Sequence, residues 1–192
     1  RLEEIDWYTA SGITGTQSAN HYRDADGHGT HCAGITAGKT YGWAKGSRIY
    51  SQKVSGLETL SGSDGTGISI SNVFDTIRLW HNSKLESRPT VVNMSWGYGF
   101  STSATPTGGT YRGTPWTYVS QTNTQLWDDY GIVSPSGLTR RLPSQIISVD
   151  AEIDDMIADG IHICLAAGND FYKADVAAGA DYDNFVTISG GN

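Results

Sequence analysis

Short apolar strands alternate with amphipathic helices along this chain, and that order narrows the possible folds more than any other feature. Residues 47–54 alternate apolar and polar side chains, which predicts a strand. A helix is predicted from about 69 to 84, where apolar residues recur at helical spacing: Ile70, Val73, Phe74, Ile77 and Trp80. Strands are predicted at 90–94, 161–166 and 185–189, and a second helix runs from the N-cap Ser144 to a stop at Gly160. This order predicts an α/β fold with a mostly parallel sheet and helices on both faces.

Charge and composition exclude several functional classes. The chain has 192 residues, the size of one domain, and a formal net charge of −7. Its one pair of adjacent basic residues is Arg140-Arg141, so the clustered cations that bind nucleic acid are missing from the sequence. No apolar run approaches the roughly 18 residues that a membrane span needs. Cys32 and Cys164 are too few for a disulfide framework, and we expect both to be buried free thiols.

Residues 98–143 differ from the rest of the chain. They are rich in Ser, Thr, Gly, Tyr and Pro and lack helical periodicity. A structureless stretch of this length is unusual inside a compact domain. We expect an inserted surface excursion, with a hairpin as one form of it, held down by Trp116, Tyr118 and Trp127. A substrate-facing role for these three aromatic residues stays open as an alternative.

The densest cluster of reactive residues is D-G-H-G-T-H-C-A-G at positions 26–34. The pattern places the imidazole of His28 at the start of a helix, where the charged form is disfavoured and a general base is favoured. The small residues that follow allow the helix to pack closely, and a glycine allows another group to approach. Zinc binding by His21, His28, His31 and Cys32 is an alternative, but no second tight ligand pair lies nearby and the glycines would be unexplained. We assign no metal and no cofactor.

This segment resembles the histidine motif of the subtilisin family of serine peptidases. The resemblance implies that His28 is the catalytic histidine and that His31 is a buried structural companion. Residues 163–169, I-C-L-A-A-G-N, are similar to the family's oxyanion segment. That similarity implies that Asn169 donates a hydrogen bond to the developing oxyanion and that a pocket wall is formed by Ala166, Ala167 and Gly168.

Two further segments are similar to the family's substrate-binding strands. Residues 91–97, V-V-N-M-S-W-G, resemble the strand that pairs with the substrate backbone, which implies that the specificity pocket is lined by Ser95, Trp96 and Gly97. Trp96 stands where the family more often has an aliphatic residue. A weaker match, implying the opposite edge strand, covers Gly65, Thr66 and Gly67. A polypeptide substrate would bind between the two edges by β-augmentation.

The resemblance implies a subtilisin-like three-layer fold, here incomplete at both ends. The family orders its triad as Asp, His, Ser along the chain. Asp6 is followed by Trp-Tyr instead of the family's D-[ST]-G, and Ser189 comes too soon after Asn169 to be the nucleophile. We therefore expect the catalytic aspartate and serine outside residues 1–192, and we expect this partial peptidase domain to be inactive alone.

The function implied for the whole protein is that of a serine endopeptidase, and by family resemblance we expect an extracellular one. The sequence makes no prediction about its oligomeric state. One alternative is a non-catalytic binding or structural module on the same scaffold, because a fold does not define a function. A second alternative is a metal-dependent hydrolase that uses His21, His28 and His31.

Overall fold

The computed structural model describes residues 2–54, 57–59, 62–63, 70–97, 100–102, 106–111, 113–130, 140–142, 147–167 and 185–188. The chain divides into two compact units. The first comprises Arg1–Ser95 with Ile146–Cys164, and the second comprises Trp96–Gln145 with Leu165–Asn192.

Helices and short strands are interspersed along the chain. The described helices are α1 (Trp7–Ser11), α2 (His28–Ala37), α3 (Ile70–Ser83), α4 (Asn123–Tyr130) and α5 (Ile147–Ala158). The described strands are β1 (Leu57–Thr59), β2 (Gly62–Ser63), β3 (Val91–Met94), β4 (Phe100–Thr102), β5 (Pro106–Tyr111), β6 (Thr114–Thr117), β7 (Arg140–Leu142), β8 (His162–Leu165) and β9 (Phe185–Ile188). The predicted helices at 69–84 and between Ser144 and Gly160, and the predicted strands at 90–94, 161–166 and 185–189, are therefore confirmed as elements. Ser144 itself, the predicted N-cap, lies outside the described residues.

The described strands form small sheets. Strand β3 is the neighbour of β8, while β1 pairs with β2 and β4 pairs with β7, both in antiparallel register. Strand β5 lies between β6 and β9 and is antiparallel to both. Helices combined with sheets are consistent with the predicted α/β class. The three-layer arrangement and the mostly parallel sheet remain predictions.

The strand predicted at 47–54 is wrong over most of its length. In the described structure this segment makes one parallel bridge, between Ile49 and Leu2. A strand needs a neighbour along its whole length, and the N-terminal segment extends only briefly beside Ile49 before it turns into α1 at Trp7. Residues 47–54 do alternate apolar and polar side chains, but the segment that pairs with them is too short to form a strand beside them.

Helix α3 supplies the main buried face of the first unit. Its residues Val73, Phe74 and Ile77 are buried, and Trp7 of α1 packs edge-on against Trp80 at 5.7 Å between ring centroids. The spacing of these side chains is the one from which the helix was predicted.

Helices α3 and α5 are also joined by charged side chains. The Arg78 guanidinium donates to carboxylates of Asp155 at 2.9 Å and Asp159 at 3.0 Å. Helix α5 stops at the predicted Gly160, whose φ of +83° lies in the left-handed region that glycine adopts without strain.

The second unit contains the predicted excursion. Strands β5 and β6 form a hairpin there, and the buried side chain of Leu126 on α4 packs against Trp116, Tyr118 and Tyr130. Trp116 stacks on Tyr130 with ring centroids 4.1 Å apart. The side chain of Trp127 lies outside the described set. That residues 98–143 are a surface insertion remains a prediction.

Both cysteines are free, as expected. Their predicted burial is wrong for Cys164, which is exposed, and only partly met by Cys32, which is of intermediate exposure. Cys164 lies on β8, whose neighbour among the described strands is β3. Among the described residues, no helix has the length and apolar character that crossing a membrane would require.

Candidate active site

Helix α2 begins at His28, so the predicted placement of this histidine at a helix N-terminus is confirmed. Gly27 is the N-cap and has a φ of +85°. A Cβ built on Gly27 would meet nothing within 4 Å. The glycine before His28 is therefore favoured by the backbone conformation, because side-chain-bearing residues rarely adopt this φ.

The side chain of Asp24 caps the first turn of α2. One carboxylate oxygen accepts from the Gly27 N–H at 2.9 Å, and the other accepts from the N–H and the hydroxyl of Thr30 at 2.7 and 2.6 Å. The first N–H groups of a helix lack partners within the helix, so these bonds stabilise its start. The hydrogen bond from the Thr30 hydroxyl is the main reason why the pKa of the Asp24 carboxyl is lowered.

The side chain of Lys53 holds the loop that precedes α2, residues 20–24, by hydrogen bonds from within the first unit. Its side chain is buried, and its Nζ donates to the carbonyl oxygens of Arg23 at 3.0 Å and Asn20 at 3.4 Å. Burial lowers the pKa of Lys53, and the negative charge of Asp24 partly opposes that effect. Local sequence pattern gave no sign of this contact, because Lys53 lies 30 residues beyond Arg23.

The side chain of His21, which belongs to this loop, is buried. Its Nε2 lies 3.4 Å from the carbonyl oxygen of Ser51, which also accepts from the indole N–H of Trp7 at 2.8 Å. Burial lowers the pKa of His21. His21 therefore packs within the first unit. Among the described residues, no group of three His, Cys, Asp or Glu side chains is arranged to hold a metal ion.

The imidazole of His28 is exposed and lies beside a thiol. Its Nε2 is 3.6 Å from Sγ of Cys32, one helical turn further on. The backbone N–H of His28 donates to the carboxylate of Asp26 at 3.3 Å. An exposed imidazole at a helix start is accessible to a substrate and to a proton donor, as a general base must be.

The prediction that His31 is buried is wrong. His31 is exposed, and Ala37 is the one residue of α2 that is buried. Even Ile35 on the same helix keeps 54% of its surface exposed. Sequence pattern identified small residues suited to close packing, but in the described structure α2 is not covered along that face.

The side chain of Asp6 stabilises the start of α1. It is the N-cap of α1, and its carboxylate accepts from the N–H of Thr9 at 2.8 Å. A capping carboxylate of this kind is explained by helix stability alone.

The other site residues lie in different parts of the chain. Ser95 follows β3 in the first unit, and its hydroxyl accepts from the side-chain amide of Asn93 at 2.8 Å. The second unit contains Trp96 and Gly97, and also Ala166 and Ala167, which follow β8 and are exposed. No described hydrogen bond joins His28 to Ser95. The remaining predicted residues lie outside the described set: Gly65, Thr66, Gly67, Gly168 and Asn169.

Comparison with known proteins gives the class to which this chain belongs. The model of the subtilase family, a family of peptidases, matches residues 3–192. The chain therefore belongs to the subtilase family, as the histidine motif indicated.

Curated relatives agree with that assignment. Subtilisin-like protease 8 of Arthroderma benhamiae is 29% identical over 177 residues, which cover 86% of this chain and 26% of the relative. Alkaline serine protease ver112 of Corniculantispora psalliotae is 41% identical over 86 residues, 43% of this chain and 21% of the relative. The chain thus spans about a quarter of the length of the first of these relatives. No solved structure matches the chain.

Proposed function

We propose that the protein carrying this chain is a serine endopeptidase in which His28 is the general base. The observation that supports this most is His28 itself: an exposed imidazole at the first residue of α2, in a chain that the subtilase model matches over residues 3–192. In the proposed reaction a serine hydroxyl attacks the peptide carbonyl carbon and His28 takes its proton. His28 then returns the proton to the leaving amine, and an aspartate orients its ring.

Asn169 is proposed as a side-chain donor to the oxyanion of the tetrahedral intermediate. Removal of the corresponding donor from subtilisin itself lowers turnover by about 10²–10³-fold. Ser95, Trp96 and Gly97, with Ala166, Ala167 and Gly168, are proposed to line the pocket for the residue before the cut bond. Gly65, Thr66 and Gly67 are proposed to form the opposite edge of the substrate cleft.

The catalytic aspartate and serine are proposed to lie outside residues 1–192. This placement is supported by the capping role of Asp6 and by the carboxylate of Asp24, which is occupied by Gly27 and Thr30. The complete protein is then an extracellular enzyme with a three-layer subtilisin-like fold and a polypeptide substrate. The 192-residue chain alone is inactive, because neither partner of His28 is present.

Steady-state hydrolysis of a chromogenic peptide tests the proposal on the complete protein. His28→Ala is expected to lower kcat by about 10⁶-fold, the effect that loss of the histidine has in subtilisin. His162→Ala, at an exposed histidine outside the motif, is the matched control and should keep activity near that of the wild type. Equal activity of His28→Ala and the wild type would refute the role of His28. A complete protein that binds peptides without cutting them would instead favour the non-catalytic module.

A further inference from the structure

The loop that leads into His28, residues 20–24, is held by the buried side chain of Lys53 as well as by that of His21. Lys53 is only 9% exposed, and its ammonium group donates to two carbonyl oxygens of this loop, those of Asn20 and Arg23. A buried ammonium group is costly unless it is paired and hydrogen-bonded. Its retention at this position therefore depends on the loop carbonyls that surround it.

The same loop reaches α2 through the adjacent residue. Asp24 directly follows Arg23, and its carboxylate holds the N–H groups of Gly27 and Thr30 on either side of His28. Lys53 and Asp24 also attract each other electrostatically. A continuous path of polar contacts thus runs from Lys53 through residues 20–24 to the first turn of α2.

Among the residues that the structure describes, few other contacts fix His28. Its ring has Cys32 Sγ as a neighbour on its own helix, and α2 buries only Ala37. The orientation of the imidazole therefore depends on how firmly the start of α2 is held.

From these contacts we infer that Lys53 and Asp24 are positioning residues for His28: they act through the loop and the first helical turn and do not touch the substrate. This inference rests on the proposed function, in which His28 is the general base. Misplacement of a catalytic group by about 1 Å is enough to cost about 10²-fold in rate. Loss of the pair should therefore affect the chemical step more than substrate binding.

Two variants of the complete protein test the pair at different points. Lys53→Met keeps the length of the side chain and removes the ammonium group, which leaves the carbonyls of Asn20 and Arg23 without that donor. Thr30→Val keeps the shape of the side chain and removes its hydrogen bond to Asp24. The matched controls are Lys45→Met, at an exposed lysine, and Thr30→Ser, which keeps the hydroxyl.

The first readout is kinetic. Lys53→Met and Thr30→Val should lower kcat by between about 10- and 100-fold while KM stays within about twofold. Lys45→Met and Thr30→Ser should resemble the wild type. A kcat of Lys53→Met or Thr30→Val equal to that of its control, or a loss confined to KM, would overturn the inference. If Lys53→Met does not fold, the kcat of Thr30→Val alone decides whether the contacts of this loop position His28.

The second readout is independent of catalysis. Hydrogen exchange of the peptide covering residues 24–31, followed by mass spectrometry, should be faster by about fivefold in Lys53→Met and Thr30→Val, which corresponds to one lost hydrogen bond. Unchanged exchange in both variants would refute the pair as a support of this loop. If the complete protein proves to lack peptidase activity, the proposed function fails, whereas the exchange rates still decide whether Lys53 and Asp24 hold the helix start.

Discussion

Replacement of Gly27 by alanine should destabilise the chain through the backbone alone. Gly27 has a φ of +85°, and a Cβ at this position would meet nothing within 4 Å. Steric clash with neighbours therefore contributes nothing, and the cost is that of placing an alanine in the left-handed region. That cost is about 1–2 kcal/mol. For a folding unit of roughly 150–250 residues, such a loss lowers the Tm by roughly 2–8 °C.

Gly34 on the same helix is the matched control. Its Cβ position is also open to 4 Å, but Gly34 lies inside α2 with ordinary helical geometry. Gly34→Ala should therefore stabilise the chain by about 0.5–1 kcal/mol, because alanine loses less conformational freedom in a helix than glycine does. Gly27→Asn should fall between Gly27→Ala and the wild type, since asparagine tolerates the left-handed region better.

Urea denaturation of the complete protein, followed by far-ultraviolet circular dichroism, measures these differences. The expected order of midpoints is Gly34→Ala, wild type, Gly27→Asn and then Gly27→Ala. A Gly27→Ala midpoint at or above that of the wild type would show that the positive φ is not what the motif requires. If both alanine variants were destabilised equally, the loss would have to be assigned to packing against α2 instead.

Three further perturbations have defined outcomes. Because burial lowers the pKa of His21 below its usual value near 6.5, the unfolded chain binds more protons in that range, and stability should fall as the pH falls below about 6.5. His21→Gln should reduce this pH dependence and His162→Gln should not; an unchanged profile in His21→Gln would contradict the assignment. Alkylation of Cys32, whose Sγ lies 3.6 Å from His28 Nε2, should lower the activity of the complete protein at least about tenfold. Cys32→Ser should protect against the reagent, and full activity after complete modification of Cys32 would argue against the contact. Limited trypsin digestion of the complete protein should cut first at Arg112, between β5 and β6, and more slowly at Arg140-Arg141, which pair with β4. Initial cuts within residues 47–94 would contradict a surface excursion at 98–143.

Periodic patterns predicted the elements whose defining residues lie within the element itself. The spacing of Val73, Phe74 and Ile77 identified α3, and Gly160 marked the end of α5, because each signal lies within the element it describes. Helix α4 was missed, since in its mostly polar sequence Leu126 is the residue that the described structure buries. One buried side chain does not produce a periodicity.

Contacts between distant segments were not predictable in this way. The strand expected at 47–54 depended on a neighbour of sufficient length, which the segment before α1 does not supply. The burial expected for His31 and Cys164 depended on what covers α2 and β8. Likewise, the motif around His28 named the reactive residue but not Asp24 and Lys53, because Lys53 joins the loop across about thirty positions. The one local signal was Asp24 itself, a carboxylate close enough before the helix to cap it.

Covalent labelling of the complete protein with a peptidyl phosphonate specific for activated serines tests the catalytic assignment, with the modified residue located by mass spectrometry. A phosphonate reacts with a serine only where a base such as His28 activates it. The expected result is one stoichiometric adduct on a serine outside residues 1–192, with labelling abolished in His28→Ala and absent from the 192-residue chain alone. An adduct on a serine within residues 1–192, or labelling that persists in His28→Ala, would contradict both the placement of the nucleophile and the role of His28.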